Sequence, residues 1–578
     1  MKKSYFLKAL SRRKFIKNTV VATTGASLIP AVISGCNDDD DTPAFVPEGN
    51  YGFFEGVASF DPTQTQVILW TRYTPASNEE SLPQIILDVA TDESFNQLVA
   101  SQTVEVDTIN DNTVNVDVSN LTSNTKYFYR FRNETSNAVS ITGETKTLPA
   151  SGEAAEVKMA VVSCANYQAG LFNVYGGIAD SDAEVVIHLG DYIYEYAAGG
   201  YGSNDTTTTL GREHEPSGEI IELEDYRTRY KQYRSDEQLQ KLHQLKPFIC
   251  VWDDHEIAND AYKDGAENQQ SDEGDFETRK MNALQVWHEY LPARVNDTTK
   301  IYRSFDFAGI VNLMMLDTRI IGRDKQLDYT EYFTASGLDA VAFAQDWQSN
   351  TRTILGSEQR DWLTGSIAAS SAKWQVLGSQ VLMGKYMIPS EMLLLVSQIT
   401  STGITDELIA QYTQVVTELV TIKVSISLGL EVSDEDRARV ENVLPYNLDA
   451  WDGYPVEREI IFAAASGKKL ISLAGDTHNA WYSKLSDSEG NVVGEELATP
   501  SVSSPGFEAI FGDDAETIAA LEQANTALID DLQYTDASRR GYLYVKYTES
   551  DVEADWRFIS TLASLDTATE SGKNVTVV

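Results

Sequence analysis

The chain has 578 residues, 42% hydrophobic and 23% charged, which excludes disorder as a default and leaves room for more than one domain around a large core. Its formal net charge is −42, and because the first 35 residues hold seven basic residues and no acid, the remainder carries 38 basic against 87 acidic residues, a net −49. That balance excludes a nucleic-acid-binding surface and adhesion to anionic lipid, both of which need clustered Lys and Arg.

The N-terminus reads as an export signal. Ser11-Arg12-Arg13-Lys14-Phe15-Ile16-Lys17 carries the twin-arginine pattern, and the mildly apolar Val20–Ile33 is broken by Thr23, Thr24, Gly25 and Pro30, as in a signal-peptide core and unlike a membrane span. Ile33-Ser34-Gly35-Cys36 resembles a lipobox that makes Cys36 the lipidated first residue of the mature protein. Residues 1–35 are therefore expected to be a twin-arginine lipoprotein signal with the translocase as partner. Residues 36–49, with Asp38 to Asp41, are expected to be an acidic tether, and a lipid at Cys36 the sole attachment to the bacterial envelope, periplasmic or at the cell surface. The twin-arginine route carries folded proteins, so a metal site can be loaded before export. Three cysteines, Cys36, Cys164 and Cys250, do not make a disulfide framework, and Cys250 inside an apolar run is expected to fill core.

Residues 50–148 contain short β-type runs between turn residues: Val67–Trp70, Gln84–Val89, Gln102–Val106, Thr113–Val118, Lys126–Phe131 and Ala138–Glu144. Their number and spacing indicate a β-sandwich of immunoglobulin or fibronectin type. A linker of small residues, Pro149 to Ala155, follows. From about residue 156 to 560 strands alternate with helical stretches, the pattern of a parallel or mixed α/β sheet. A helix is expected over Gly170–Asp180; Tyr226, Tyr230 and Tyr233 share one helical face, and Met281, Leu284, Trp287 and His288 another, both as core packing. Pro389–Val443 reads as a helical insertion, with helices at Leu393–Val396 and Leu408–Val424 and an Asp434-rich turn before Ala438.

Five apolar runs in this region end abruptly in residues suited to metals and acid–base chemistry. Val157–Val162 is followed by Ser163-Cys164-Ala165-Asn166, Val185–Leu189 by Gly190-Asp191-Tyr192-Ile193-Tyr194, and Phe248–Trp252 by Asp253-Asp254-His255-Glu256. Val311–Leu316 is followed by Asp317-Thr318-Arg319, and Leu470–Ala474 by Gly475-Asp476-Thr477-His478. Ligands bind outside the carboxyl ends of strands in α/β sheets, so the five endings point to one site. Of six histidines, His188, His243 and His288 sit inside elements and read as structural, whereas His255 and His478 lie among carboxylates. The Cys164 thiolate and Tyr194 phenolate suit a strongly Lewis-acidic ferric ion, while Asp254 and Asp476 are hard oxygen ligands suited to Ca²⁺, Mg²⁺ or Mn²⁺. Asp191 can bridge two cations.

These motifs resemble the PhoD-like alkaline phosphatases of the metallophosphoesterase superfamily. The matching stretches include Gly56–Ser59 with Val67–Arg72, Ser163-Cys164-Ala165, Gly190–Glu195, Trp252–Glu256, Leu316–Arg319, Trp451–Tyr454, Gly475–Asn479 and Thr499–Gly506, spanning about residues 50–560. Phe60, where the pattern has Gly, and the long segment 389–443 depart from it. The resemblance implies a β-sandwich followed by a four-layer α/β/β/α catalytic domain holding Fe³⁺ and Ca²⁺, one iron with one or two calcium ions. Cys164, Asp191 and Tyr194 would bind iron, with His478 or Asp476 completing the set; Asp191 would bridge to calcium, with Asp254 and Asp476 as further ligands. Asn166, Asn259, Asp253 and Asp317 are further candidates for metal or phosphate binding. His255 would transfer a proton and Arg319 would grip phosphoryl oxygens. The expected activity is hydrolysis of phosphate mono- and diesters by a monomer. Two rivals are an enzyme devoted to diesters such as phospholipid or teichoic-acid-like polymer, and a non-catalytic Ca²⁺-binding surface lipoprotein.

Overall fold

The computed structural model describes residues 51–76, 83–334, 337–403 and 405–578; the twin-arginine segment, Cys36 and the acidic tether lie outside the described residues. Two large sheets organise the fold, one of nine strands and one of seven. Glu156–Val162, Val185–His188 and Phe248–Cys250 lie side by side in parallel at the centre of the first, with Val162, His188 and Cys250 in register, so their chains emerge at one level. Val311–Met315, Trp374–Gly378 and Lys469–Ala474 do the same in the second, with Met315, Gly378 and Leu473 in register. The residues of Val185–His188 and Phe248–Cys250 are all buried, because both faces of these strands are covered.

Val161, Ile187 and Ile249 of the first sheet share a core with Leu313, Val376 and Ile471 of the second. The helix Leu223–Arg234 adds Tyr226, Tyr230 and Tyr233 to that core, and the helices Gly356–Ala369 and Pro455–Ala464 place Leu363 and Ile461 in a second core with Met314, Leu377 and Leu470. The result is helix, sheet, sheet, helix, as the resemblance implied.

The N-terminal strands are not a separate bead. Val57–Phe60, Val67–Arg72 and Thr113–Val118 extend the nine-stranded sheet, joined where Phe60 pairs in parallel with Phe248. Alternation then assigns the two faces to two cores: Ala58, Phe60, Ile68 and Trp70 join the catalytic core, while Val57, Val67 and Leu69 meet Ile85, Leu87, Val89, Tyr129 and Phe131 of the sandwich's second sheet. The run expected as one strand, Ala138–Glu144, is two, Ala138–Val139 and Gly143–Lys146. Between them the Ser140 hydroxyl accepts from the Phe131 amide at 2.9 Å and donates to the Ile141 carbonyl at 2.8 Å, a side-chain substitute for ladder bonds.

Further along, the expected helix at Gly170–Asp180 covers Asn173–Ala179. On the helix Phe276–Tyr290, Leu284 and Trp287 are buried but Met281 is 42% exposed, so it is not core. The insertion forms three helices, Ser390–Thr402, Asp406–Ser427 and Asp434–Glu441. The expected turn at Asp434 is the third of these. Ser433 caps it by accepting from the Asp436 amide at 3.0 Å, and Asp434, Glu435 and Asp436 in its first turn favour the positive end of its dipole. Among the described residues no helix is long and apolar enough to cross a membrane.

Candidate active site

All five sequence endings converge where the carboxyl ends of the two sheets face each other. The turns that bring them there are tight: Cys164, Asp191, Asp476 and His478 have φ of 62°, 54°, 64° and 64°, a left-handed conformation that costs non-glycine residues about 1 kcal/mol or more each. Gly190, at φ 100°, precedes Asp191 because a Cβ there would stand 2.4 Å from the Asp253 amide nitrogen. The buried Glu256 carboxylate ties the same two turns, accepting from the amides of Asp191 at 2.9 Å, Asp253 at 2.7 Å and Tyr192. Burial, then the Asp191 charge, push its pKa up to about 8.

Three overlapping groups of side chains bring their ligand atoms within 4.8 Å of one another: Cys164, Asp191 and His478; Asp191, Asp254 and His255; and Asp253, Asp254 and Asp476. Asp191 and Asp254 are each shared by two groups, so the cluster is continuous. It also separates two residues that the sequence left interchangeable: His478 stands with Cys164, and Asp476 with Asp253 and Asp254. The Tyr194 hydroxyl joins the Cys164 end, donating to Asp191 Oδ2 at 2.9 Å and lying 3.2 Å from His478 Nε2. The His478 Nδ1–H donates to the Pro505 carbonyl at 2.7 Å, which aims the Nε2 lone pair at this cluster. Burial first, and then Asp191, raise the pKa of both the Cys164 thiol and the Tyr194 phenol well above their ordinary values.

His255 is held differently. Its Nδ1–H donates to Glu195 Oε2 at 2.7 Å, while Glu195 Oε1 accepts from the Asn259 amide at 2.9 Å and Asn268 Nδ2 at 2.6 Å. Burial opposes a charge on the imidazole, but Asp254, Asp191 and Glu195 outweigh it and lift its pKa to about 10. In turn His255 overcomes the burial of Glu195 and holds that carboxyl below its usual range.

The remaining expected residues are placed as follows. Arg319, fully buried, donates through Nε to Asp253, through one terminal nitrogen to Asp449 at 2.7 Å and through the other to Asp476 at 3.2 Å. Three of its five N–H groups thus donate to carboxylates; the resemblance assigns the guanidinium to phosphoryl oxygens. Asp317 is consumed by its own turn, accepting from the Arg319 amide at 2.8 Å and from Trp252 Nε1 at 3.1 Å. Asn166 caps the turn Tyr167–Ala169 and donates to the Tyr201 carbonyl at 3.0 Å, so both polar atoms of its side chain are engaged by backbone. Asn259 reaches the cleft, and its buried Oδ1 has no hydrogen bond.

Sequence reasoning passed over Glu195, Asn479 and Ser504. Glu195 directly follows Tyr194 and Asn479 directly follows His478, so their place in the strand-end clusters was the available signal. Both amide atoms of Asn479 are buried without a hydrogen bond, and Ser504 Oγ donates to the Tyr194 hydroxyl at 2.7 Å. Whether the cluster suits cations can be judged from its charge. Asp191, Asp253, Asp254 and Asp476 are at most 1% exposed, and Arg319 and His255 are the cationic side chains set against them. Such a surplus of buried carboxylate, with a buried Asp253 oxygen left without a hydrogen bond, fits bound cations.

Two facing mixed sheets whose strand ends converge on clustered acids at the base of a cleft are the architecture of a metallophosphatase. Comparison with known proteins narrows this. The model of the PhoD-like phosphatase family matches residues 159–556, and that of the PhoD-like phosphatase N-terminal domain matches residues 41–149. Alkaline phosphatase D of Bacillus subtilis (strain 168) is 30% identical over 567 residues, covering 94% of this chain and 84% of that protein. A solved structure of PhoD superposes with a TM-score of 0.71 at 27% identity, covering 92% of this chain and 91% of that one. The chain belongs to the PhoD-like phosphatase family and is a phosphoric ester hydrolase.

Proposed function

We propose that the protein hydrolyses phosphate mono- and diesters at this cluster with Fe³⁺ and Ca²⁺ bound. Cys164, Asp191, Tyr194 and His478 would hold the iron, whose charge matches a thiolate and a phenolate; Asp253, Asp254 and Asp476 would hold calcium, and Asp191 both. Bound there, the cations supply Lewis acidity and a water of lowered pKa. The observation that carries this reading is the overlap of the three ligand groups through Asp191 and Asp254.

The chain's own residues do the rest. His255 lines the cleft, and with Nδ1 held by Glu195 its second ring nitrogen is the one left to protonate the leaving oxygen. Glu195 fixes the tautomer and orientation of that ring. Arg319 keeps Asp253, Asp449 and Asp476 in position and offsets part of their charge. Asn479 offers a buried amide N–H for a phosphoryl oxygen. Export by the twin-arginine route and lipidation at Cys36 place this chemistry in the bacterial envelope, a proposal that rests on Arg12-Arg13 and on Ile33 to Cys36. Asp191→Asn tests the function: hydrolysis of an aryl phosphate diester is expected to vanish and bound metal to fall. Near-normal turnover at full metal content would sink the assignment.

A further inference from the structure

The cleft above the cluster has a volume of about 500 Å³, a size that accommodates a whole organic ligand and not a phosphate alone. One wall is a run of rings in contact: Tyr446 and Tyr386 have centroids 4.9 Å apart, Tyr386 and Trp481 5.0 Å, and Trp481 and Phe507 6.0 Å. The run begins at the cluster itself, because Trp481 Nε1 donates to Thr477 Oγ1 at 2.8 Å, between Asp476 and His478 in the chain. It continues into the insertion through Phe511, whose ring lies 6.3 Å from Phe507 and 5.3 Å from Tyr412 of the helix Asp406–Ser427. Val396, from the first insertion helix, lines the same cleft.

Charge narrows the occupant. Asp260, Glu267 and Asp328 border the cleft, Asp449 beside them is paired with Arg319 and Arg323, and among the described residues the cationic lining side chains are Lys325 and the His255 imidazolium. A second phosphate or a polyanionic group meets like charge there, whereas an uncharged apolar group meets ring faces.

We infer that this cleft selects phosphate esters whose organic group is uncharged and apolar, of the size of an aromatic ring or larger, lying on the wall formed by Tyr446, Tyr386, Trp481 and Phe507. The inference rests on the phosphatase reading and adds to it the substrate class and a role for the insertion, which backs the wall. Phosphonates test it, since they carry the three non-bridging oxygens of a monoester with a P–C bond in place of the scissile P–O bond. Competitive inhibition of the full-length, metal-loaded enzyme is measured with methylphosphonate and phenylphosphonate. Burial of a ring is expected to make phenylphosphonate bind at least about tenfold tighter. Tyr446→Ala is expected to bring that ratio below about threefold, and Tyr446→Phe, which keeps the ring face, to restore it. Tyr446 is half-buried and packs against the core from outside it, and Tyr446→Phe controls for that packing. Equal inhibition by the two phosphonates in the wild-type enzyme overturns the inference and leaves the phosphatase reading intact. A preference that survives Tyr446→Ala and Phe507→Ala alike also overturns it. Absence of both inhibition and ester hydrolysis would instead remove the phosphatase reading beneath it.

Discussion

Replacing Glu195 by Gln removes one negative charge from His255 while keeping an oxygen for the Asn259 amide and Asn268 Nδ2. The carboxylate accepts from His255 Nδ1 at 2.7 Å, and both groups are at most 1% exposed, so solvent screens the pair weakly. A charge at such range moves a pKa by about one to three pH units, or about 1.4 to 4 kcal/mol. The sign is fixed by the pairing: Glu195 favours the imidazolium, so its loss lowers the His255 pKa. If His255 is the proton donor, the alkaline limb of kcat/KM shifts down by the same one to three units. At a pH beyond both limbs the variant is then about 10- to 1,000-fold slower. The assay is the pH profile of kcat/KM on an alkyl phosphate ester, whose poor leaving group needs the proton, beside a 4-nitrophenyl ester, whose leaving group needs it far less. The alkyl ester is expected to show the shift and the 4-nitrophenyl ester to be nearly insensitive. An alkaline limb that stays in place, with both esters slowed equally, would refute His255 as acid and Glu195 as its positioning residue.

Gly190→Ala is expected to destabilise the protein by about 1–3 kcal/mol and lower its Tm, because the added Cβ meets the Asp253 amide at 2.4 Å with φ at 100°. Gly199→Ala, at φ 73° with nothing within 4 Å, is the milder control, and equal losses in the two variants would contradict the close-approach argument. Metal retention is expected to depend on pH. Burial and then Asp191 hold the Cys164 thiol and the Tyr194 phenol protonated, so a cation must expel these protons to bind. Dialysis at pH 5 therefore releases iron that is retained at pH 8, and release that is the same at both values would exclude the thiol and phenol as ligands.

Much of the site was legible because its residue types stand immediately after strand-like apolar runs: Asp191 after Gly190, Asp254 and His255 after Trp252, Asp476 and His478 after Ala474. Strands that are buried on both faces carry few polar residues, such as His188 in Val185–His188, so a cluster of titratable groups at their ends is conspicuous. The partners of Arg319 were not legible. Its ion pair with Asp449 spans 130 residues of sequence, and local pattern carries no record of such a contact. The sharing of a sheet between the sandwich and the catalytic core was hidden for the same reason: Phe60 and Phe248 meet only in the folded chain. Asn479 and Glu195 were in plain view beside the motif residues, but an amide and a carboxylate acquire a role only from what faces them. In the insertion, the helix Asp434–Glu441 was mistaken for a turn because acidic residues mark turns and helix N-termini alike.

Elemental analysis of the purified protein, paired with its activity on an aryl phosphate diester before and after chelation, tests the central claim most directly. The account expects about one iron per chain together with calcium, as the mixed soft and hard ligand set requires, and activity that disappears with the metals and returns with them. Zinc as the sole metal would contradict the assignment of Cys164 and Tyr194 to iron, and full activity in metal-free protein would contradict the mechanism as a whole.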